Sequence, residues 1–217
     1  MPAGMGIAVT ELSCVRGGRP VLQGLGFGLA DGETLAVRGP NGAGKSTLLR
    51  ALAGLLPASG RIELDGRTAT PDSLAEAVGY AGHLDAVKPQ LTVGENIGFW
   101  AALLGGDPRA ALAGFELAGI ADRPAHLLSA GQRRRLGLAR LLLAPRRLWL
   151  LDEPTVALDA AAEARLVAAI AAHTAGGGMA VVATHAPLAL PARELRLAPE
   201  AAGERTRSDP FLAGRWT

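Results

Sequence analysis

The chain has 217 residues, 49% of them hydrophobic and 4% aromatic, with a formal net charge of +2. That length suits one α/β domain or a domain with a small subdomain, and the apolar content supplies a sizeable core. The lone cysteine, Cys14 in the apolar "TELSCV", excludes a disulfide framework, and scattered arginines do not make a nucleic-acid surface. No basic start followed by an apolar block marks a signal peptide, and no run of 18 apolar residues marks a membrane span. The expected compartment is the cytoplasm.

In chain order, residues 7–37 read as short strands broken by glycines, ending in the apolar "ETLAVRG". The stretch "RGPNGAGKSTLLR", residues 38–50, fits the phosphate-binding pattern G-x-x-x-x-G-K-[ST]. Its loop runs through Gly39, Pro40, Asn41, Gly42, Ala43 and Gly44 to Lys45, Ser46 and Thr47, and one of only two lysines in the chain is spent there. Glycines let a backbone fold around an anion and turn consecutive N–H groups inward. Lys45 is placed to reach the β- and γ-phosphates of a nucleotide, and the Ser46 hydroxyl to hold Mg²⁺. "KSTLLRALAGLL" reads as the following helix, with its positive end at the phosphates.

"PASGRIELDGR", residues 57–67, reads as a strand pair with a turn at Asp65-Gly66. From Leu91 to Arg140 the pattern is mostly helical. Within it, Ser129 and Gln132 of "LLSAGQRRRLGLARLLL" have capping-box spacing, yet three arginines sit where the helix dipole is positive. Something anionic nearby would resolve that conflict. "RRLWLLDEP", residues 146–154, reads as a buried parallel strand ending in Asp152 and Glu153. A strand-end Asp beside a phosphate loop holds Mg²⁺, and a neighbouring carboxylate can polarise an attacking water. A helix over 158–173 follows, with Asp159 as N-cap, then a buried strand in "GGGMAVVATH". After Pro187 the pattern weakens into a minor strand, a short helix or disorder. His126 and His173 match no motif and read as surface residues. Alternating β and α segments around such a loop predict an α/β fold with a mostly parallel sheet covered by helices.

"LSAGQ" resembles the LSGGQ signature of the ATP-binding cassette (ABC) proteins, and the order of loop, signature, DEP strand, "ALD" and strand-end His is similar to that family over residues 7 to about 190. The resemblance implies a P-loop NTPase of the ABC cassette type, with an antiparallel β subdomain and a small helical subdomain. It implies a catalytic core over 7–82 and 136–190, a helical subdomain over 84–135 and a C-terminal tail over 191–217. It also implies a homodimer in which Ser129, Gly131 and Gln132 of one cassette meet the ATP held by the other. "VALD" with Asp159 then matches the D-loop at the dimer interface, Glu153 the general base and His185 the histidine that contacts the γ-phosphate.

Two positions depart from the family. The residue six before Leu22, where an aromatic usually stacks on adenine, is Arg16. A guanidinium can stack there too, with weaker base selectivity. The residue eight before Leu91, where the family carries a glutamine on Mg²⁺, is His83. Imidazole suits Mg²⁺ poorly, so His83 is expected to act through a water or to be neutral.

"GH" at 82–83, "LSAGQRRR" and "LWLLDEPTVALD" in a short cassette resemble the CcmA family of bacterial cytochrome c maturation ATPases. That resemblance implies ATP and Mg²⁺ as cofactors and membrane-spanning partners of the CcmB and CcmC type. It implies an indirect link to the haem chaperone CcmE, and a peripheral position on the cytoplasmic face of the inner membrane. Its output is haem export or release of the loaded chaperone, with no direct haem site and no nucleic acid. The alternatives are the ATPase of another ABC transporter and, more remotely, a non-transport ABC ATPase. The latter carry long coiled coils between loop and signature, which are missing between Lys45 and Leu128.

Overall fold

The glycine-rich N-terminal region makes two long strands rather than several short ones. The structure, a computed structural model, describes residues 5–144 and 146–198. β1 (Met5–Arg16) and β2 (Arg19–Ala30) pair antiparallel across Gly17 and Gly18, at φ 56° and 73°. A two-residue hairpin turn needs those left-handed angles, and glycine adopts them freely. β3 (Thr34–Arg38) enters a second sheet, and the loop 39–44 leads into α1 (Lys45–Leu52). β4 (Ser59–Leu64) and β5 (Arg67–Thr68) return to the first sheet, whose antiparallel order is β2-β1-β4-β5.

Next come α2 (Pro71–Ala77) and β6 (Val78–Ala81). The helical stretch resolves into α3 (Val93–Leu104), α4 (Pro108–Gly114) and α5 (Ala130–Ala139). β7 (Leu148–Asp152), α6 (Ala160–Ala175), β8 (Met179–Ala183) and β9 (Arg193–Arg196) complete the described chain. The second sheet has the order β6-β7-β8-β3-β9, and every neighbouring pair is parallel.

β9 lies beyond residue 190, where the sequence reading ended the core. It pairs with the otherwise open edge of β3, and Leu197 behind it is buried in the same core. The rest of the expected tail, 199–217, lies outside the described residues.

Every residue of β7 and β8 is buried, and their alternating side chains feed two cores. Leu148, Leu150, Met179 and Val181 pack with Leu48, Leu49 and Leu52 of α1 and with Ile7 and Leu29 of the antiparallel sheet. Trp149, Leu151, Ala180 and Val182 pack on the other face with Leu166 and Ile170 of α6 and with Val93, Ile97, Leu112 and Phe115 of the helical part. The functional loops leave the carboxyl ends of β3, β7 and β8, which this packing fixes.

His173 is not the surface residue its sequence context suggested. Its ring stacks on Trp149 at 4.1 Å and an interplanar angle of 4°, and its Nε2 lies 3.0 Å from the Met179 carbonyl. Burial holds its pKa below the ordinary histidine value, Arg147 adds to that, and the Met179 carbonyl opposes it. His126 is exposed.

Candidate nucleotide-binding site

The loop between β3 and α1 needs its glycines at two positions in particular. Gly39 has φ 151°, and a Cβ there would sit 2.5 Å from the Leu197 carbonyl oxygen. Gly44, the N-cap of α1, has φ 94° and would press a Cβ onto Leu22 and Val21 at 3.0–3.1 Å. With no side-chain cap and no acid in the first turn of α1, its free N–H groups and dipole face the loop.

Lys45 is 8% exposed and donates to the carbonyls of Gly39 (2.8 Å) and Pro40 (3.2 Å). Its Nζ also lies 2.9 Å from His185 Nε2, which is 3.0 Å from Asn41 Oδ1 and 3.3 Å from Glu153 Oε1. Glu153 Oε1 has no hydrogen-bond partner among the described residues, so that approach is not a bond. One imidazole nitrogen cannot accept from lysine and donate to Asn41 Oδ1 at once, and the tautomer of His185 decides between these two. Around this cluster lies a cavity of about 690 Å³, lined by Asn41, Gly42, Gly44 and Lys45 to Thr47, by Arg16, and by His83, Asp152 and Glu153. Gly39, Pro40, Ala43 and His185 do not line it: Gly39 and Pro40 present carbonyls to Lys45, the Ala43 N–H is held by Pro40 O at 3.2 Å, and His185 meets the lining residues Lys45, Asn41 and Glu153.

At the end of β7, Asp152 is 2% exposed and its Oδ2 has no hydrogen-bond partner among the described residues. A buried carboxylate in that condition asks for a cation. Ser46 lines the same cavity. A carboxylate and a hydroxyl are the hard oxygen donors that Mg²⁺ takes, so these residues fit that ion. Glu153 has φ 46°, a left-handed angle that strains a non-glycine residue by about 1–2 kcal/mol. Its N–H is held by the Ala183 carbonyl at 2.8 Å.

Ser129, Gly131 and Gln132 are not among the residues lining this cavity. They open α5, where Ser129 Oγ accepts from Gln132 N–H (3.2 Å) and Gln132 Oε1 accepts from Ser129 N–H (3.0 Å). Gly131 packs so closely on residue 157 that a Cβ would meet the Ala157 carbonyl oxygen at 2.7 Å. Asp159 caps α6, its Oδ1 accepting from Ala162 N–H at 2.8 Å.

The arginines at the positive end of α5 find their partners within the chain. Arg135 reaches the Phe115 carbonyl at 3.2 Å and lies 3.8 Å from Glu116. Arg134 is buried and reaches Asp85 and several carbonyls of the 82–85 and 152–154 segments. Sequence reasoning did not place Arg134 at the site. The clash between its charge and the helix dipole was the signal that pointed to it.

Residues 22–156 match the ABC transporter family. The chain is 53% identical over 191 residues to the cytochrome c biogenesis ATP-binding export protein CcmA of Rhodopseudomonas palustris, covering 86% of this chain and 94% of that protein. It is 51% identical over 208 residues to the protein of that name from Ruegeria pomeroyi, covering 95% and 98%. The chain belongs to the ABC transporter family, within its CcmA group. A solved ATP-binding subunit of an ABC transporter superposes with a TM-score of 0.74 at 25% identity, over 82% of this chain and 79% of that one. A putative ABC transporter ATP-binding protein from Pyrococcus furiosus does so at 0.76 over 88% and 96%, and at 22% identity it supports the cassette fold alone. The two sheets and the helical insert are thus those of an ABC cassette.

Proposed function

We propose that the chain is the ATP-hydrolysing subunit of a cytochrome c maturation ABC complex. The observation that carries this is the placing of Asp152 and Glu153 in the same cavity as Lys45 and Ser46, in a chain half-identical to CcmA proteins over nearly their whole length. The loop amides and Lys45 bind the phosphates, and Arg16 at the cavity rim covers the base. Ser46 and Asp152 would hold Mg²⁺, which would supply positive charge against the phosphates when bound. Glu153 takes the proton of the attacking water, and His185, between Lys45 and Glu153, steadies the terminal phosphate.

Ser129, Gly131 and Gln132 lie outside their own chain's cavity, which favours their use by a second copy across a cassette dimer. Among the described residues no helix is long and apolar enough to cross a membrane. In this reading, coupling to a membrane falls to separate spanning subunits, of the CcmB and CcmC type, with the cassettes peripheral on the cytoplasmic side.

Glu153→Gln tests this reading. The variant keeps the side-chain shape and loses the base, so ATP still binds while turnover falls by about 100-fold or more. Phosphate release and nucleotide binding are measured on the full chain, and cytochrome c maturation is scored in cells lacking their own copy. Near-normal turnover in Glu153→Gln refutes the base assignment.

A further inference from the structure

Arg134 uses its whole guanidinium. Nε donates to the Pro154 carbonyl (3.2 Å), Nη1 to the Gly82 carbonyl (2.9 Å) and Asp85 Oδ1 (2.8 Å), and Nη2 to the carbonyls of Asp152 and Glu153 (both 2.9 Å). A guanidinium has five N–H donors, and here one, two and two are engaged at Nε, Nη1 and Nη2. Its side chain is 7% exposed and that of Asp85 17%, so the charge pair is shielded from solvent.

The three carbonyls at one edge of this fork are consecutive, 152 to 154, and include those of both site carboxylates. Glu153 stands at φ 46°. A residue in that region keeps its conformation only where the surroundings hold it, and the Arg134–Glu153 carbonyl bond is such a hold. At the other edge is the segment 82–85, whose His83 lines the nucleotide cavity while Gly82 and Leu84 line a separate apolar groove with Trp100 and Tyr80. Arg134 itself stands on α5, the helix that Ser129 opens. One side chain thus joins three segments that meet the reaction from different sides.

We propose that Arg134, with Asp85 as its charge partner, is a positioning residue for hydrolysis. It fixes the 152–154 backbone so that the Glu153 carboxylate is aimed, and it holds the 82–85 segment in step with it. The inference rests on the ATPase reading above.

Lysine keeps the charge but offers three donors around one atom and cannot span two segments as a planar fork does. In the full chain, Arg134→Lys and Asp85→Ala should each lower turnover at saturating ATP about 10- to 100-fold, the scale of a misplacement near 1 Å. Affinity for a fluorescent ATP analogue should stay within about threefold, because the phosphate loop is untouched. Thermal melting confirms folding. If Arg134→Lys does not fold, Asp85→Ala decides, since it removes one of the two bonds that tie the 82–85 segment to the fork while leaving Arg134 in place.

Folded variants that hydrolyse at the wild-type rate overturn the proposal. Equal losses of binding and turnover also overturn it, because they mark a merely structural bond. A wild-type chain that binds but never hydrolyses ATP, alone or with its membrane subunits, refutes the ATPase reading instead.

Discussion

Gly137 sits in the last turn of α5, where alanine would ordinarily be the better residue by about 1 kcal/mol. The structure reverses that sign. A Cβ at 137 would lie 2.8 Å from Asp85 Cβ, 2.9 Å from its carbonyl oxygen and 3.1 Å from its Cα. Carbon atoms in contact sit roughly 3.5–4.0 Å apart, so the 82–85 segment must retreat by about 1 Å. Two of these neighbours are backbone atoms and the third, Asp85 Cβ, is fixed by the backbone, so none swings aside as the end of a long side chain would. Overpacking of this kind costs about 1–3 kcal/mol. A retreat also stretches the Arg134 bonds to Gly82 and Asp85, and losing one bond to a charged group costs about 1.5–3 kcal/mol. Less the helix gain, Gly137→Ala should destabilise the full chain by roughly 1.5–5 kcal/mol. Urea unfolding, followed by tryptophan fluorescence and by circular dichroism, measures it. A variant as stable as the wild type, or more stable, refutes the close approach and the reasoning built on it.

Two other outcomes follow. His173 is held neutral in the fold by burial against Trp149, so the unfolded chain binds its proton at a higher pH than the folded one. Its contribution is therefore full above about pH 6.5 and is lost as pH falls below that value toward the folded pKa. His173→Phe keeps a ring on Trp149 and should flatten the drop in melting temperature between pH 7.5 and 5.5; an unchanged drop assigns the pH dependence elsewhere. His83→Gln should leave MgATP affinity within about tenfold, roughly 1.4 kcal/mol, because Lys45, Ser46 and Asp152 carry it; titration calorimetry with and without Mg²⁺ would expose a larger share.

The tight loop before α1 and the buried strand ending in two acids were legible because their geometry is local: Gly39 to Ser46 and Leu148 to Glu153 carry it in a few consecutive residues. The ladders of β7 and β8 were legible for a related reason, since strands buried on both faces read as unbroken apolar runs. β6 and β9 were not, because short segments with partly exposed residues show no period and become strands only through distant partners, β7 and β3; α2 was passed over although Thr70 and Pro71 are local helix-start signals. Arg134 was legible as a problem and not as an answer. Its acceptors at 82 and 85 lie 52 and 49 positions away, and no local pattern could name them. His173 was misread because a helix-end histidine looks solvated until Trp149, on the neighbouring strand, is placed under its ring.

The Ser129 hydroxyl closes α5 as an acceptor, since Gln132 N–H points at its oxygen. An alcohol oxygen has two lone pairs and one proton, and capping engages only a lone pair. The Ser129 backbone N–H, which might have competed for an outside acceptor, is already taken by Gln132 Oε1. The cap on Gln132 is therefore made while the hydroxyl keeps its hydrogen free to rotate. Asparagine or aspartate would cap as well but would present only an acceptor oxygen in that role. Among side chains that close a helix through an oxygen, serine and threonine alone do so with an O–H to spare, and serine does it without a methyl group to hold an approaching anion away.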